Sequence, residues 1–393
     1  MKSPQILRAW FVLLLVTPFL LSIPFSSRAA AGGDASAQVS ARMECATLFQ
    51  PNGIEQTAKQ AVPTQAVPTQ AVSTRAVTAP AMAEIDRVRL REVFRLGDSI
   101  GDRIWPGWSK APFAVLLITP DYEFLLRHPK PSADFTSLGY DKMLKSDVYY
   151  RKRVFPTHYL ATFPAISGSM ISTIVVGQAE NTSAKASSPW VITVLHEHFH
   201  QLQDSQPNFY AQVNALNLAR GDQAGMWMLN YAFPYERAEV QEQFATTSKL
   251  LAAATEAPKR ERTQKVRDYL TARQKFQEML AADDYKYISF QFWKEGIAGY
   301  TEYRVAETAA AKFHVSKEFR ALKDYQSFAD VAQNTRERIF RQLETQKLGS
   351  AKREVVYSFG AAEGLLLDQI NPGWRRRYFV EKFDLRKLFP LNN

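Results

Sequence analysis

The sequence predicts an α+β fold, with a strand-rich N-terminal region followed by a mostly helical C-terminal region. Three observations carry this expectation. Short apolar runs bounded by turn residues crowd the stretch before residue 190. A breaker-free apolar segment then follows Pro189. Beyond residue 235 the chain turns to charged segments with helical spacing. With 393 residues, 46% of them hydrophobic, the chain is long enough to bury a large core.

The first 31 residues have the pattern of a cleaved secretory leader. Lys2 and Arg8 precede an uncharged stretch over residues 9–27, and Ala29, Ala30, Ala31 and Gly32 supply small residues for cleavage. A retained N-terminal anchor is the other reading, although Pro18 and Pro24 interrupt the apolar run. Secretion or a periplasmic location is the expectation, with no stable membrane insertion after cleavage. Residues 32–83 follow as a tether. From Gln60 they read QAVPT, QAVPT, QAVST, RAVTA, a composition without the large apolar residues that a core needs. Cys45 is the sole cysteine, so no internal disulfide can form.

Residues 84–190 form the predicted strand-rich region. Residues 113–119 and 122–126 are apolar runs joined across Pro120 and Asp121, a hairpin pattern. Residues 171–176 alternate and end at Gly177, which suits another strand. In the helical region, 191–393, Ser188 is the expected N-cap, with Pro189 at the first helical position and the helix running to Gln203. Further helices are expected over 235–254 and 259–282, and from Phe292 past Arg304.

The formal net charge is +10, of which Lys2, Arg8 and Arg28 supply three. The remaining excess is mild, and no basic run exceeds the Arg375, Arg376, Arg377 triplet. Nucleic acid is therefore not an expected partner.

Chemistry concentrates at His196-Glu197-His198-Phe199-His200, an H-E-x-x-H sequence on the predicted helix. Positions i and i+4 lie about 40° apart around a helix, so His196 and His200 point the same way. Two such imidazoles can hold one zinc ion, with Glu197 beside them as general base. Three of the six histidines fall within these five residues. His198 points away and reads as a hydrogen-bonded core or surface histidine. Asp204, one turn on, suits either a support for a ligand or an exposed cap.

Catalytic zinc takes three protein ligands and leaves a fourth position for water. No third histidine follows at the metzincin spacing. Carboxylates remain. Glu295 and Glu302 share a face of the helix that starts near Phe292, and Gly296 and Gly299 remove bulk beside Glu295, which suits a close approach to the metal helix. Glu236 and Glu239 are the competing carboxylates, nearer in sequence.

Here the chain resembles the gluzincins, and within them the leucyl/alanyl aminopeptidase family. That family follows its H-E-x-x-H with N-E-G-x-A-x-Y-x-E. Residues 294–302 match at Glu295, Gly296, Ala298, Tyr300 and Glu302. The resemblance implies a zincin-like fold, Glu295 as third zinc ligand, Glu302 as its supporting partner, and a tyrosine that stabilises the tetrahedral intermediate. Tyr357, in Tyr357-Ser358-Phe359-Gly360, fits the family's Y-x-K-G except at Phe359. The chain departs from the family in its spacing, since Glu295 lies 95 residues beyond His200. It departs again at residues 168–172, where Ile171 stands in place of the glutamate that binds a substrate's amine.

The expectation is an exported zinc metallopeptidase acting on peptides or proteins, endo- or oligopeptidase rather than aminopeptidase. The apolar segment before the metal helix suits an extended peptide, with Glu180 the next acid along. A zinc-bearing binding or scaffold protein, and a hydrolase of non-peptide substrates, are the alternatives.

Overall fold

The structure, a computed structural model, describes residues 79–222 and 225–390. The predicted leader, Cys45 and the repeat lie outside those residues. The first element is a helix, α1 (Glu84–Ile104), which corrects the strand-rich reading at its N-terminal end. Asp86, Leu90, Val93, Gly97, Ile100 and Ile104 fall on its buried face at three- and four-residue steps. Glu84 and Asp86 also place negative charge in the first turn, where the helix dipole favours it.

Six strands follow: β1 (Val115–Ile118), β2 (Tyr122–Leu126), β3 (Thr136–Asp141), β4 (Ser146–Lys152), β5 (Leu160–Phe163) and β6 (Thr173–Gly177). They make one mixed sheet in the order β3-β4-β2-β1-β6-β5. The hairpin expected across Pro120 and Asp121 is present, with Val115 opposite Leu126 and Ile118 opposite Glu123. β1 runs parallel to β6, Val115 opposite Ile174. β1 and β6 are buried along their whole length, as central strands covered on both faces must be.

The metal-motif helix is α2 (Ser187–Asp204). Its N-cap is Ala186, not Ser188. The Ser187 hydroxyl is engaged by Asp324 and the Ser188 hydroxyl donates to the Gln326 carbonyl, so tertiary partners take the groups that would have capped the helix. Gln201 docks α2 on the sheet, its Nε2 donating to the carbonyls of Ala114 at 2.9 Å and Ser172 at 2.7 Å.

The rest is helical: α3 (Phe209–Ala215), α4 (Trp227–Asn230), α5 (Ala238–Glu256), α6 (Lys259–Glu278), α7 (Ala282–Gln291), α8 (Ile297–Lys312), α9 (Lys317–Arg320), α10 (Phe328–Thr345), α11 (Leu348–Ala351), α12 (Val355–Ile370) and α13 (Trp374–Tyr378). The helix expected from Phe292 begins ten residues earlier as α7. It continues into α8 through a π-helical turn, Phe292–Gly296. No helix among the described residues is long and apolar enough to cross a membrane.

The two glycines singled out beside Glu295 do allow a close approach, but to α12 instead of α2. A Cβ on Gly296 would lie 2.5 Å from Gly360 Cα and 2.8 Å from the Val356 carbonyl oxygen. A Cβ on Gly299 would lie 3.2 Å from the Tyr357 carbonyl oxygen. Backbone meets backbone there, which only paired glycines permit.

Candidate metal centre

α2 and the π-helical turn bring His196, His200 and Glu295 together. The two Nε2 atoms lie 3.2 Å apart. Glu295 Oε2 stands 3.4 Å from His200 Nε2 and 4.0 Å from His196 Nε2. Tetrahedral ligands 2.0–2.1 Å from a shared ion are spaced about 3.3 Å apart, a figure that two of the three spacings meet, while the one between His196 and Glu295 is wider. A π turn adds a residue to one helical turn and re-aims the side chains on it, a device frequent at functional sites.

The proton positions follow from the surroundings. Gln203 Oε1 lies 2.6 Å from His200 Nδ1, while its Nε2 faces the Lys294 carbonyl at 3.1 Å and the Tyr378 hydroxyl at 2.7 Å. The amide nitrogen facing a carbonyl fixes the amide oxygen toward the ring, so His200 Nδ1 is the donor. Glu302 Oε1 lies 2.9 Å from His196 Nδ1, off the axis of a straight hydrogen bond, and Arg338 holds its other oxygen at 2.7 Å. His200 thus carries its proton on Nδ1, the carboxylate of Glu302 beside His196 Nδ1 favours the same tautomer there, and both Nε2 atoms face one point. Glu295 Oε2 aims there too and has no hydrogen-bond partner among the described residues. Buried acceptors converging in this way are costly unless a cation sits between them. The donor set fits a metal ion, and among the described residues this is the group of His, Cys, Asp and Glu side chains arranged to hold one.

Electrostatics hold both carboxylates of the centre ionised. Burial works to raise the Glu295 carboxyl, yet His200, Arg353 and Lys294 hold it far below the usual carboxylate range. Burial likewise opposes ionisation of Glu302, but Arg338 and His196 bring it down to about 2. Burial lowers His196, and Glu302, Glu197 and Glu295 outweigh it and raise that ring above its ordinary value.

Glu197 is 1% exposed and accepts from Thr162 Oγ1 on β5 at 2.8 Å. The same hydroxyl lies 3.1 Å from the Glu197 carbonyl oxygen. Tyr357, on α12, brings its ring within 6.3 Å of the His196 ring, centroid to centroid, and its hydroxyl accepts from Arg353. His198 is the buried core histidine its spacing implied. It stacks on Phe113 at 3.6 Å, bonds Gln201, and is pushed down to about 3 by burial.

Other expectations need correction. Asp204 is neither a ligand's support nor an exposed cap. Its oxygens are taken by Ser172 at 2.7 Å and by the buried Lys294 at 3.2 Å. The supporting role falls to Gln203, three residues beyond His200. Its place one helical turn from His200 is the sequence signal for that role. Glu236 and Glu239 are exposed and face Lys352 and Arg237, so Glu295 is the carboxylate brought to the histidines. Residues 168–172 precede β6 as a turn, and β6 itself is interior, between β1 and β5. The last strand of the sheet on the side of α2 is β5, all four of whose residues are buried. Glu180 pairs with Arg89, which also donates to Ser187 at the N-terminal end of α2. Thr162 and Arg353 had no signal in the sequence, being remote from the motif and joined to it only by packing.

The fold and site define an α+β protein with a buried His, His, Glu group able to hold a metal ion. No protein-family model, curated protein or solved structure matches the chain.

Proposed function

We propose that this chain is a zinc metallohydrolase of gluzincin type, acting on peptide bonds. The observation that carries the reading is the anchored carboxylate of Glu197 next to a three-donor cluster. A structural zinc site closes all its positions with protein ligands and has no use for a base, whereas a catalytic one keeps three ligands and a neighbouring acid–base group. A two-imidazole, one-carboxylate set with a neighbouring acid–base group suits zinc, which when bound would act as a Lewis acid that activates water and polarises a carbonyl.

The chain's own residues then have distinct tasks. Glu197, oriented by Thr162, accepts a proton from water and returns it to the departing amine. The Tyr357 oxygen accepts from Arg353, which leaves its own proton free to donate to a developing oxyanion. With Ile171 in a turn and Glu180 committed to Arg89, endo- or oligopeptidase action is favoured over strict aminopeptidase action. The leader pattern and tether support export.

One observation favours a second reading. His196 is 6% exposed, His200 0% and Glu295 2%, a closure more typical of a metal held for structure in a binding or scaffold protein. A peptide-library digest with metal analysis separates the two. Wild type should hold about one zinc per chain, as a single three-ligand site requires, and cleave free and N-acetylated peptides alike. Glu197→Gln should keep the metal and lose activity about 10²–10⁴-fold. Metal without turnover in wild type would favour the scaffold, and full turnover in Glu197→Gln would sink the mechanism.

A further inference from the structure

The guanidinium of Arg353 links both walls of the candidate centre. Nη2 lies 3.4 Å from Glu295 Oε1, Nη1 donates to the Tyr357 hydroxyl at 3.3 Å, and Nε donates to Gln291 Oε1 at 3.1 Å. Gln291 is fixed in turn, its Nε2 donating to the Met228 carbonyl at 2.7 Å. The preceding residue, Lys352, has φ 49° and ψ −125°, a left-handed φ that residues with a side chain seldom adopt. Such strain persists where the surroundings over-determine it, and it gathers at functional positions. This turn delivers Arg353 to the interior, where the residue is 9% exposed.

The two oxygens of Glu295 are therefore unequal. Oε1 faces a guanidinium, while Oε2 faces the imidazoles and lacks a hydrogen-bond partner among the described residues. A carboxylate with both oxygens free binds a cation through one or both. Arginine stays charged at every accessible pH and occupies its partner oxygen with directed N–H groups. Standing 3.4 Å from Oε1, its charge competes for that oxygen and repels a cation moving toward it.

We propose that Arg353 is a positioning residue that restricts Glu295 to one donor oxygen and so keeps a coordination position open at the candidate metal centre. This rests on the metal reading above and is independent of peptide turnover. The second contact extends the effect, because Arg353 also sets which way the Tyr357 hydroxyl can donate.

The test uses the full chain loaded with Zn²⁺ for X-ray absorption, and with Co²⁺ for visible spectroscopy, in wild type and Arg353→Gln. Wild type should be four-coordinate, with a single carboxylate oxygen among the nearest neighbours and the intense cobalt bands of that geometry. Arg353→Gln should retain the metal with equal or tighter affinity, gain a ligand oxygen, and lose cobalt band intensity. Hydrolysis by that variant should fall about 10–100-fold, the usual effect of losing a residue that orients a ligand. Five-coordinate zinc with two Glu295 oxygens in wild type would overturn the proposal even if the variant failed to fold. An unchanged cobalt spectrum in a folded Arg353→Gln would overturn it too. A wild type that takes up no metal removes the metal reading and this proposal together. The expected coordination without cleavage of any peptide removes only the hydrolase reading.

Discussion

Two clusters of buried charge share the π-helical turn and α12, and they are built on opposite principles. At the candidate metal centre, acceptors converge: two imidazole Nε2 atoms and the Glu295 carboxylate aim at one point, with cations held behind them. In the second cluster a cation and an anion meet directly. Arg273 Nε lies 3.3 Å from Glu363 Oε1, and the Tyr269 hydroxyl donates to the same oxygen. The rings of Phe292 and Phe359, at 5.0 and 5.6 Å, give the guanidinium π faces in place of further acceptors. Burial raises the Glu363 carboxyl, and Arg273 and Tyr269 act against that rise. Burial of charge is common to both, so burial does not mark a site. Both leave buried polar atoms without a hydrogen-bond partner among the described residues; what separates them is that a cation and an anion meet directly in one, whereas acceptors face one another in the other.

The largest expected effect breaks the buried Arg273–Glu363 ion pair. Glu363→Leu strands Arg273 in the interior and should cost about 3–5 kcal/mol in urea unfolding, with or without a chelator. Adding Arg273→Met should restore most of it, because an apolar pair of similar volume replaces an ion pair cheaply. A single variant as stable as wild type would mean the pair is not self-sufficient.

The metal centre should behave in reverse. Zinc at a thousand times its Kd should stabilise wild type by about 4 kcal/mol. A chelator should remove that increment from wild type and leave His200→Ala unaffected. Glu302→Ala should weaken zinc binding about 10–100-fold, because it frees the His196 ring. A chelator-insensitive wild type would erase the contrast between the clusters.

Gly296→Ala tests the turn that the clusters share. The added methyl meets the Gly360 backbone, so relief requires α12 to move away, at about 1–3 kcal/mol. Zinc affinity should fall as well, since Glu295 is the adjacent residue.

The smallest effect is a control distant from both clusters. Burial would raise Asp324, but Ser187 and Arg89 outweigh it and hold the carboxyl below its ordinary value. A carboxyl more acidic folded than unfolded stabilises in its ionised form. Its contribution is complete at neutral pH and is lost as pH falls below about 3.9 toward the folded value. Asp324→Asn should therefore cost less than about 1 kcal/mol at pH 7, since the side chain is 31% exposed, and the difference should vanish in more acid solution. Equal losses at pH 7 and pH 3 would show that the contact is not electrostatic.

Local patterns in the sequence determined a good deal of this protein. The β1–β2 hairpin, strand β6, helix α2 and the two charged helices follow from periodicity over a few residues, because backbone geometry repeats on that scale. The pairing of His196 with His200 is of the same kind, four residues on one helix. The turn of His198 away from the metal-facing pair, into the core, is of that kind too. The buried face of α1 was written at three- and four-residue steps as well, and its acids and arginines obscured the stripe. Tertiary structure decided the rest. Glu295 over Glu236 or Glu239, Thr162 against Glu197, Arg353 against Glu295, and Lys294 against Asp204 all join residues from 35 to 95 positions apart. No local rule reaches that far. Those pairings exist because β5, α2, the π-helical turn and α12 pack at particular distances, with Gly296 against Gly360 allowing the closest approach. Packing then settles which buried donors meet an acceptor and which acceptors remain for a metal ion.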